Sequence, residues 1–345
     1  SLSDADRIMG IRLVGNRHTK RTDYFLKAAE QQHIPVQFVD WEEVGQADFT
    51  GDVVKLDPPS YQTSDLFRMN DRIREYRERL LALQGRDCRF LNPPEAVCQV
   101  LDKGFCKDRL AQQGIPVTEM FPERIENFKQ LEEAMHRHRV YSVFIKPVFC
   151  SGAAGVSAYR RTPSGQKEAA YTSCRLQQGE LVNTKRMYRL EDAREIHRHL
   201  EAVLSLGAVV ERWHPKSVYQ GKNYDLRVVW QFGKPVFAVV RRSSGPVTNL
   251  HLNNALEFEK LNLPEEIQEK IWCVCAEAMA VFPGLSVAGL DVLLEKDSRL
   301  PRIIEINGQG DLIYQDLYNR NQIYTEQVCR MTQMANDNSR KNVDG

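Results

Sequence analysis

GLDVLLEKDSRLPRIIEINGQGD, Gly289–Asp311, reads as two strands, Leu290–Glu295 and Pro301–Asn307, joined by the polar turn Lys296–Leu300. Antiparallel pairing in that frame sets Asp291 opposite Glu305 and Leu293 opposite Ile303 on the same face, with Asn307 two residues further along it. Facing side chains have Cβ atoms about 4.5–5.5 Å apart, and like charges placed there repel. A cation relieves that repulsion. Mg²⁺ takes oxygen ligands, accepts one or two carboxylates from protein and completes its shell with water and phosphate. Asp291, Glu305 and Asn307 are therefore the candidate metal ligands, with Mn²⁺ as the alternative ion. The plainer reading is a solvated strand face carrying two coincidental acids.

The rest of the chain sets the context. At 345 residues, 42% hydrophobic and 27% charged, it exceeds what one core supports, and two or three packed lobes are expected. Lys+Arg 47 against Asp+Glu 46 gives a net charge of +1, which argues against a nucleic-acid surface or a basic membrane face. Eight cysteines without CxxC or disulfide spacing, and no signal peptide or long apolar run, suit a reducing cytoplasm. Cys273 and Cys275, two apart in an apolar helical stretch, read as buried packing.

Taken in order, Ser1–Asp6 reads as a flexible start, Arg7–Val14 as a strand, Asp23–His33 as a helix, Val36–Val39 as a strand and Ser64–Gln84 as a charged amphipathic helix. Together they predict a small α/β domain over 1–97, without a GxGxxG. Glu95–Gln113 reads as one helical segment in which Lys103 and Lys107, four apart, can reach a phosphate. Then YSVFIKPVFCSGAAGVSAYR carries Lys146 on a strand and a loop of small residues, Cys150–Gly155, whose backbone N–H groups at Ser151, Gly152 and Gly155 can approach an anion. A plain tight hairpin is the competing reading, and a thiol at Cys150 near Lys146 could be activated. Gly207–Trp213 is a strand ending in a carboxylate and an arginine. Two further strands flank the turn Phe232–Pro235, with Asp225, Arg227, Arg241 and Arg242 near their outer ends, a composition suited to carboxylate or phosphate recognition. Glu265–Val281 is a helix, and 331–345 reads as a polar, frayed tail.

In order and spacing, DKGFCKDRL…GIPVT, FIKPVFCSGAAGV, VVERWH, YDLRVV, RRSSGPVTNLH and GLDVLL…IIEINGQGD resemble the ATP-grasp superfamily over about 95–325. The resemblance is closest to the ligases that include D-alanine–D-alanine ligase, glutathione synthetase and the ribosomal-protein glutamate ligase. It implies an α/β fold with α+β lobes: a pre-ATP-grasp domain over 1–97, a central lobe over 98–208 and a C-terminal lobe over 209–330. It further implies that Lys103 and Lys146 contact ATP phosphates, and that Glu211, Arg212, Trp213 and His214 form the hinge holding adenine, Glu211 accepting from its amino group and the backbone of Arg212 and His214 completing recognition. Asp225 would lie near the ribose or support Arg227. Arg241 or Arg242, with Asn249, would hold the transferred phosphate and the acyl phosphate, and Asp291, Glu305 and Asn307 match the metal ligands.

The match has departures. Cys150 and Ala153 stand where the glutamate-ligase pattern has glycine, and Gly289 stands where D-alanine ligases place an arginine, which disfavours D-alanine ligation. The continuation GQGDLIYQDLYNRNQIYTEQV is similar to a less characterised group of bacterial ATP-grasp proteins. In it, Tyr314, Asp316, Tyr318, Asn319 and Arg320 are candidates for an acceptor pocket, against ordinary helix-surface packing. The expected activity joins a small-molecule or peptide carboxylate to an amine through an acyl phosphate, with a homodimer as a candidate assembly. A kinase on the same scaffold, or an ATP-binding protein without turnover, are the alternatives.

Overall fold

The computed structural model describes residues 10–61, 63–150, 153–248, 255–309 and 321–344. Its first sheet is parallel: β1 (Ile11–Gly15), β2 (Val36–Asp40), β3 (Val53–Leu56) and β4 (Arg89–Phe90), in the order β2-β1-β3-β4. Helix α1 (Lys20–Gln31) begins where the Thr19 hydroxyl accepts from Thr22 N, and α2 (Leu66–Leu83) where the Asp65 carboxylate accepts from Phe67 N at 2.9 Å.

The helix expected over Glu95–Gln113 is two helices, α3 (Pro94–Leu101) and α4 (Lys103–Gln112). Asp102 between them is extended, and its side chain accepts from Phe105 N at 3.0 Å. A carboxylate that competes for backbone donors starts a new helix more readily than it continues an old one. The break puts Lys103 on the first residue of α4.

After α5 (Phe128–His138), the second sheet is antiparallel: β5 (Ser142–Pro147), β6 (Ser157–Arg161), β7 (Glu168–Gln177), β8 (Glu180–Leu190) and, following α6 (Ala193–Ser205), β9 (Ala208–Arg212), in the order β8-β7-β6-β5-β9. Because β9 pairs with β5, a boundary at 208/209 cuts into this sheet, and the central lobe runs on to Arg212.

The third sheet holds β10 (Val218–Tyr219), β11 (Lys222–Gln231), β12 (Lys234–Ser243), β13 (Leu256–Glu257), β14 (Val287–Leu294) and β15 (Pro301–Asn307), and α7 (Glu265–Ala280) covers it. Phe232 and Gly233, at φ 51° and 84°, make the two-residue turn between β11 and β12. Val100, Cys106 and Leu110 share a core with Leu226, Val228 and Leu290, so α3 and α4 pack on this sheet and belong with it rather than with the central lobe expected from residue 98.

Residues 331–344 are helical rather than a frayed tail. Helix α8 (Gln322–Asp344) returns to the first sheet, where Ile323, Tyr324, Val328 and Met331 pack with Ile11, Leu13 and Phe25. Their spacing is helical, and the polar residues between them mask it in the sequence. Cys275 is buried as expected, but Cys273 is exposed. Among the described residues, no helix is long and apolar enough to cross a membrane.

Candidate active site

Strands β14 and β15 pair with Asp291 facing Glu305. A bulge then shifts the register between Asp291 and Val292, so that Ile303 faces Val292 and Leu293 faces Arg302, not Ile303. A bulge re-aims the residues beside it. Asn307 faces Gly289 and donates its amide to the Gly289 carbonyl at 3.2 Å.

Asp291 is fully buried. Its Oδ1 accepts from Arg227 Nε at 2.6 Å and lies 3.2 Å from Arg241 Nη2. Burial alone would raise its pKa, but Arg227 and Arg241 hold it well below the carboxylate range. Glu305 is pushed the other way, by burial first and then by the Asp291 charge. Two guanidiniums thus satisfy one carboxylate, while Lys103 and Lys146 favour the charge of the second against burial and Asp291. The paired carboxylates, together with the Asn307 amide, fit a hard divalent ion. Among the described residues no three His, Cys, Asp or Glu side chains gather around one point. Two carboxylates and an amide suit an ion that keeps water and phosphate ligands.

Arg227 was not assigned to the metal face from sequence, and its signal is Gly289. A Cβ there would stand 3.0 Å from Arg227 Nη1 and 3.1 Å from its Cδ. The missing side chain leaves room for a guanidinium from the neighbouring strand, β11. Asp225 binds Arg241 in a fork, Nε to Oδ1 at 2.9 Å and Nη2 to Oδ2 at 3.0 Å. Arg241 is buried in the site, whereas Arg242, one residue on, points to the other face and donates to Gln220 Oε1 at 3.3 Å. Lys216, just beyond the hinge, completes this group. Its Nζ donates to Thr248 Oγ1 at 2.7 Å and lies 3.9 Å from Asp225 Oδ2, and burial lowers its pKa to about 8.

The hinge is arranged differently from what the resemblance implies. The Glu211 carboxylate is fully buried, with one oxygen on Lys107 and the other 2.5 Å from Lys146 Nζ. Thr118 Oγ1 adds 3.2 Å to the first oxygen. Burial would raise the Glu211 pKa, but the two ammonium groups bring it down to about 2. Its side chain is therefore a counter-ion, because a carboxylate this deep takes the nearest cations before any neutral amine. Lys107 lies behind the site, its charge opposed by burial, while Lys146 keeps its proton because Glu211 outweighs the burial cost. Arg212 N–H is bonded to Glu119 O at 2.8 Å, and His214 Nε2 accepts from Glu119 N at 3.2 Å. Trp213 packs its ring against Phe144, and Phe144, Val156 and Val247 form an apolar wall.

Lys103 donates to the Cys150 carbonyl, which brings α4 to the small-residue loop. Gly155 has φ 76°, and a Cβ there would come within 2.6 Å of Pro147 Cγ. Ser151 and Gly152 lie outside the described residues, as do Asn249, Tyr314, Asp316, Tyr318, Asn319 and Arg320. The Cys150 thiol is buried, and its pKa is pushed up to about 11, so it is not an activated nucleophile. A cavity of about 430 Å³ opens between Lys103, Glu305 and Asn307 on one wall and Arg21 and Tyr61 of the first domain on the other.

No protein-family model matches the sequence, and no curated protein matches it. Solved structures do match the fold. The D-cycloserine synthetase DcsG superposes with a TM-score of 0.60 at 17% identity, covering 92% of this chain and 99% of that one. The ATP-grasp ligase PsnB, solved with a minimal precursor, Mg and ADP, gives 0.54 at 16% identity over 94% and 98%. This chain has the ATP-grasp fold. The macrocyclase MdnC from Microcystis aeruginosa, bound to its precursor peptide MdnA, gives 0.60 at 13% identity over 94% and 100%. Between the second and third sheets lies a cleft lined by Lys146, Glu211, Lys216, Asp225 and Asp291.

Proposed function

We propose that this protein is an ATP-dependent ligase that joins a carboxylate to an amine through an acyl phosphate and releases ADP and phosphate. The observation that carries this reading is the convergence on one cleft of the Asp291–Glu305 pair with Asn307, the ammonium groups of Lys103 and Lys146, and the buried guanidinium of Arg241. Cations facing paired carboxylates are what a nucleotide triphosphate with its metal requires.

Asp291, Glu305 and Asn307 would hold Mg²⁺, with Mn²⁺ as the alternative, and when bound the ion supplies charge neutralisation on the nucleotide phosphates. Lys103 and Lys146 balance the phosphoryl oxygens while an oxygen of the substrate carboxylate attacks the γ-phosphorus and the bond to ADP breaks. Arg241, held in its rotamer by the Asp225 fork, faces the acyl group. When the amine nitrogen bonds the acyl carbon, the guanidinium stabilises the negative oxygen that develops, phosphate departs and the nitrogen gives up a proton. The apolar wall of Phe144, Val156 and Val247 limits access of water that would hydrolyse the acyl phosphate. A cytoplasmic setting, and a small molecule or peptide as either substrate, suit this chemistry.

The test is ADP and phosphate release from Mg-ATP across pools of carboxylates with and without amines, with products identified by mass spectrometry. Turnover should need both partners, give a product one water lighter than their sum, and fall by on the order of 10²-fold or more in Glu305→Gln and Lys146→Ala. A phosphorylated product overturns the ligase reading in favour of a kinase.

A further inference from the structure

One helix of the first domain packs along the small-residue loop of the second sheet and meets it at both described flanks. At the far flank, a Cβ added to Gly155 would lie 3.1 Å from Leu66 Cδ1, on the first residue of α2. At the near flank, the half-buried Phe149 ring carries the Arg77 guanidinium, with Cζ 4.9 Å from the ring centroid, and that of Arg74 at 5.5 Å. Between these points Met69 and Ile73 share a buried core with Cys150 and Ala154. From Leu66 to Arg77 the helix is about 16 Å long. A loop of small residues has little side-chain surface with which to fix its own backbone, and a rigid helix along it supplies that surface.

Arg77 has a second attachment. Its Nε donates to the Cys98 carbonyl of α3 at 3.2 Å, and the Cys98 thiol donates to the Arg77 carbonyl at 3.4 Å. Helix α3 packs in the core of the third sheet, and α4, which follows it, begins with Lys103, whose ammonium reaches the Cys150 carbonyl. Arg77 thus stands where the first domain, the loop of the second sheet and the helices of the third meet. Two routes lead from it to the same place: along the chain from Phe149 to Cys150, and through Cys98 and α3 to Lys103. A planar guanidinium suits this post, because its face stacks on a ring while its edge donates a directed hydrogen bond.

We propose that Arg77 is a positioning residue for the nucleotide phosphates: anchored on Cys98, it clamps Phe149 and so holds the Cys150 flank of the loop in register with Lys103. The proposal rests on the ligase reading for placing the β- and γ-phosphates at this loop. Arg77 acts through Phe149 and α3, and it organises the loop before nucleotide arrives. Its loss therefore falls on affinity for the phosphates, raising KM for ATP more than it lowers kcat.

The test is calorimetry on the full chain with Mg²⁺ and two ligands, a non-hydrolysable ATP analogue and AMP, which lacks the β- and γ-phosphates. The variants are Arg77→Gln, Arg77→Lys, Phe149→Leu and the double variant of Arg77→Gln with Phe149→Leu. Arg72→Gln, an exposed change on the same helix, is the control and should match the wild type. Binding of the ATP analogue should weaken about five- to tenfold in Arg77→Gln and in Phe149→Leu, and Arg77→Lys should keep part of the affinity. The double variant should lose less than the product of the two single losses, because both remove one clamp. AMP affinity should stay within about twofold of the wild type throughout, a split that a generally disturbed fold does not give. Unchanged analogue binding in the single variants, equal losses for the analogue and AMP, or single losses that multiply in full overturn the proposal. Analogue binding that is the same in the wild type and every variant removes this role alone. The expected pattern in a protein that makes a phosphorylated product keeps the role and removes the ligase reading, and a wild type that binds no nucleotide removes both.

Discussion

Arg241 and Arg242 are adjacent in sequence and occupy opposite faces of one strand. Arg241 is buried between Asp225 and Asp291, and Arg242 reaches outward to Gln220. A planar fork bound at two oxygens is not replaced by a point charge. Arg241→Lys should therefore lower ADP release by on the order of 10²-fold, while Arg242→Lys should stay within about threefold, both read from steady-state rates. Equal losses in the two variants would contradict the assignment of Arg241 to the site. The candidate residues can be named from the sequence, and their partners cannot. A strand pattern leaves open which of two arginines faces inward until a neighbouring strand fixes the face. Nothing local tells Asp225 to choose Arg241 over Arg227, or Glu211 to choose two lysines over a ligand. Those choices follow from strand order and depth.

Among the elements, the β14–β15 hairpin was the most legible, because its strands are consecutive and the turn between them is short. Its bulge was not, since one extra residue leaves the apolar alternation nearly unchanged. Helix α8 was misread for a related reason: Met331 and Ala335 look isolated among polar neighbours until the first sheet supplies a surface to receive them. Because Met331 is completely buried, Met331→Ala should cost about 2–5 kcal/mol in urea unfolding, and Gln333→Ala, on the exposed face, should change stability by less than about 0.5 kcal/mol. A loss at Met331 no larger than at Gln333 would mean that α8 does not dock.

Across the whole molecule, burial makes stability depend on pH in a predictable direction. His199 lies beneath the central sheet against Ser157 Oγ at 2.9 Å, and burial lowers its pKa from 6.5 to about 4. The unfolded chain takes up this proton first as pH falls, so stability is steady above pH 6.5 and declines between there and pH 4 by on the order of 3 kcal/mol. His199→Gln, which has no proton to take up, should show a flatter midpoint-against-pH curve over that window in denaturant titrations. Glu211, held at about 2 by its lysines, stabilises the fold above the ordinary carboxylate pKa and loses that contribution only at lower pH. By itself the sequence determined that the chain alternates helix and strand into several lobes, and that two carboxylates and an amide share one face of a hairpin. These follow from periodicity and from contacts a few residues apart. Only the tertiary structure decided that α3 and α4 join the third sheet, that α8 closes on the first, that Arg227 fills the space left by Gly289, and that a cavity at the first sheet opens onto the β14–β15 hairpin. Each of these joins residues distant in sequence, and their meeting depends on how whole sheets pack, which no local pattern encodes.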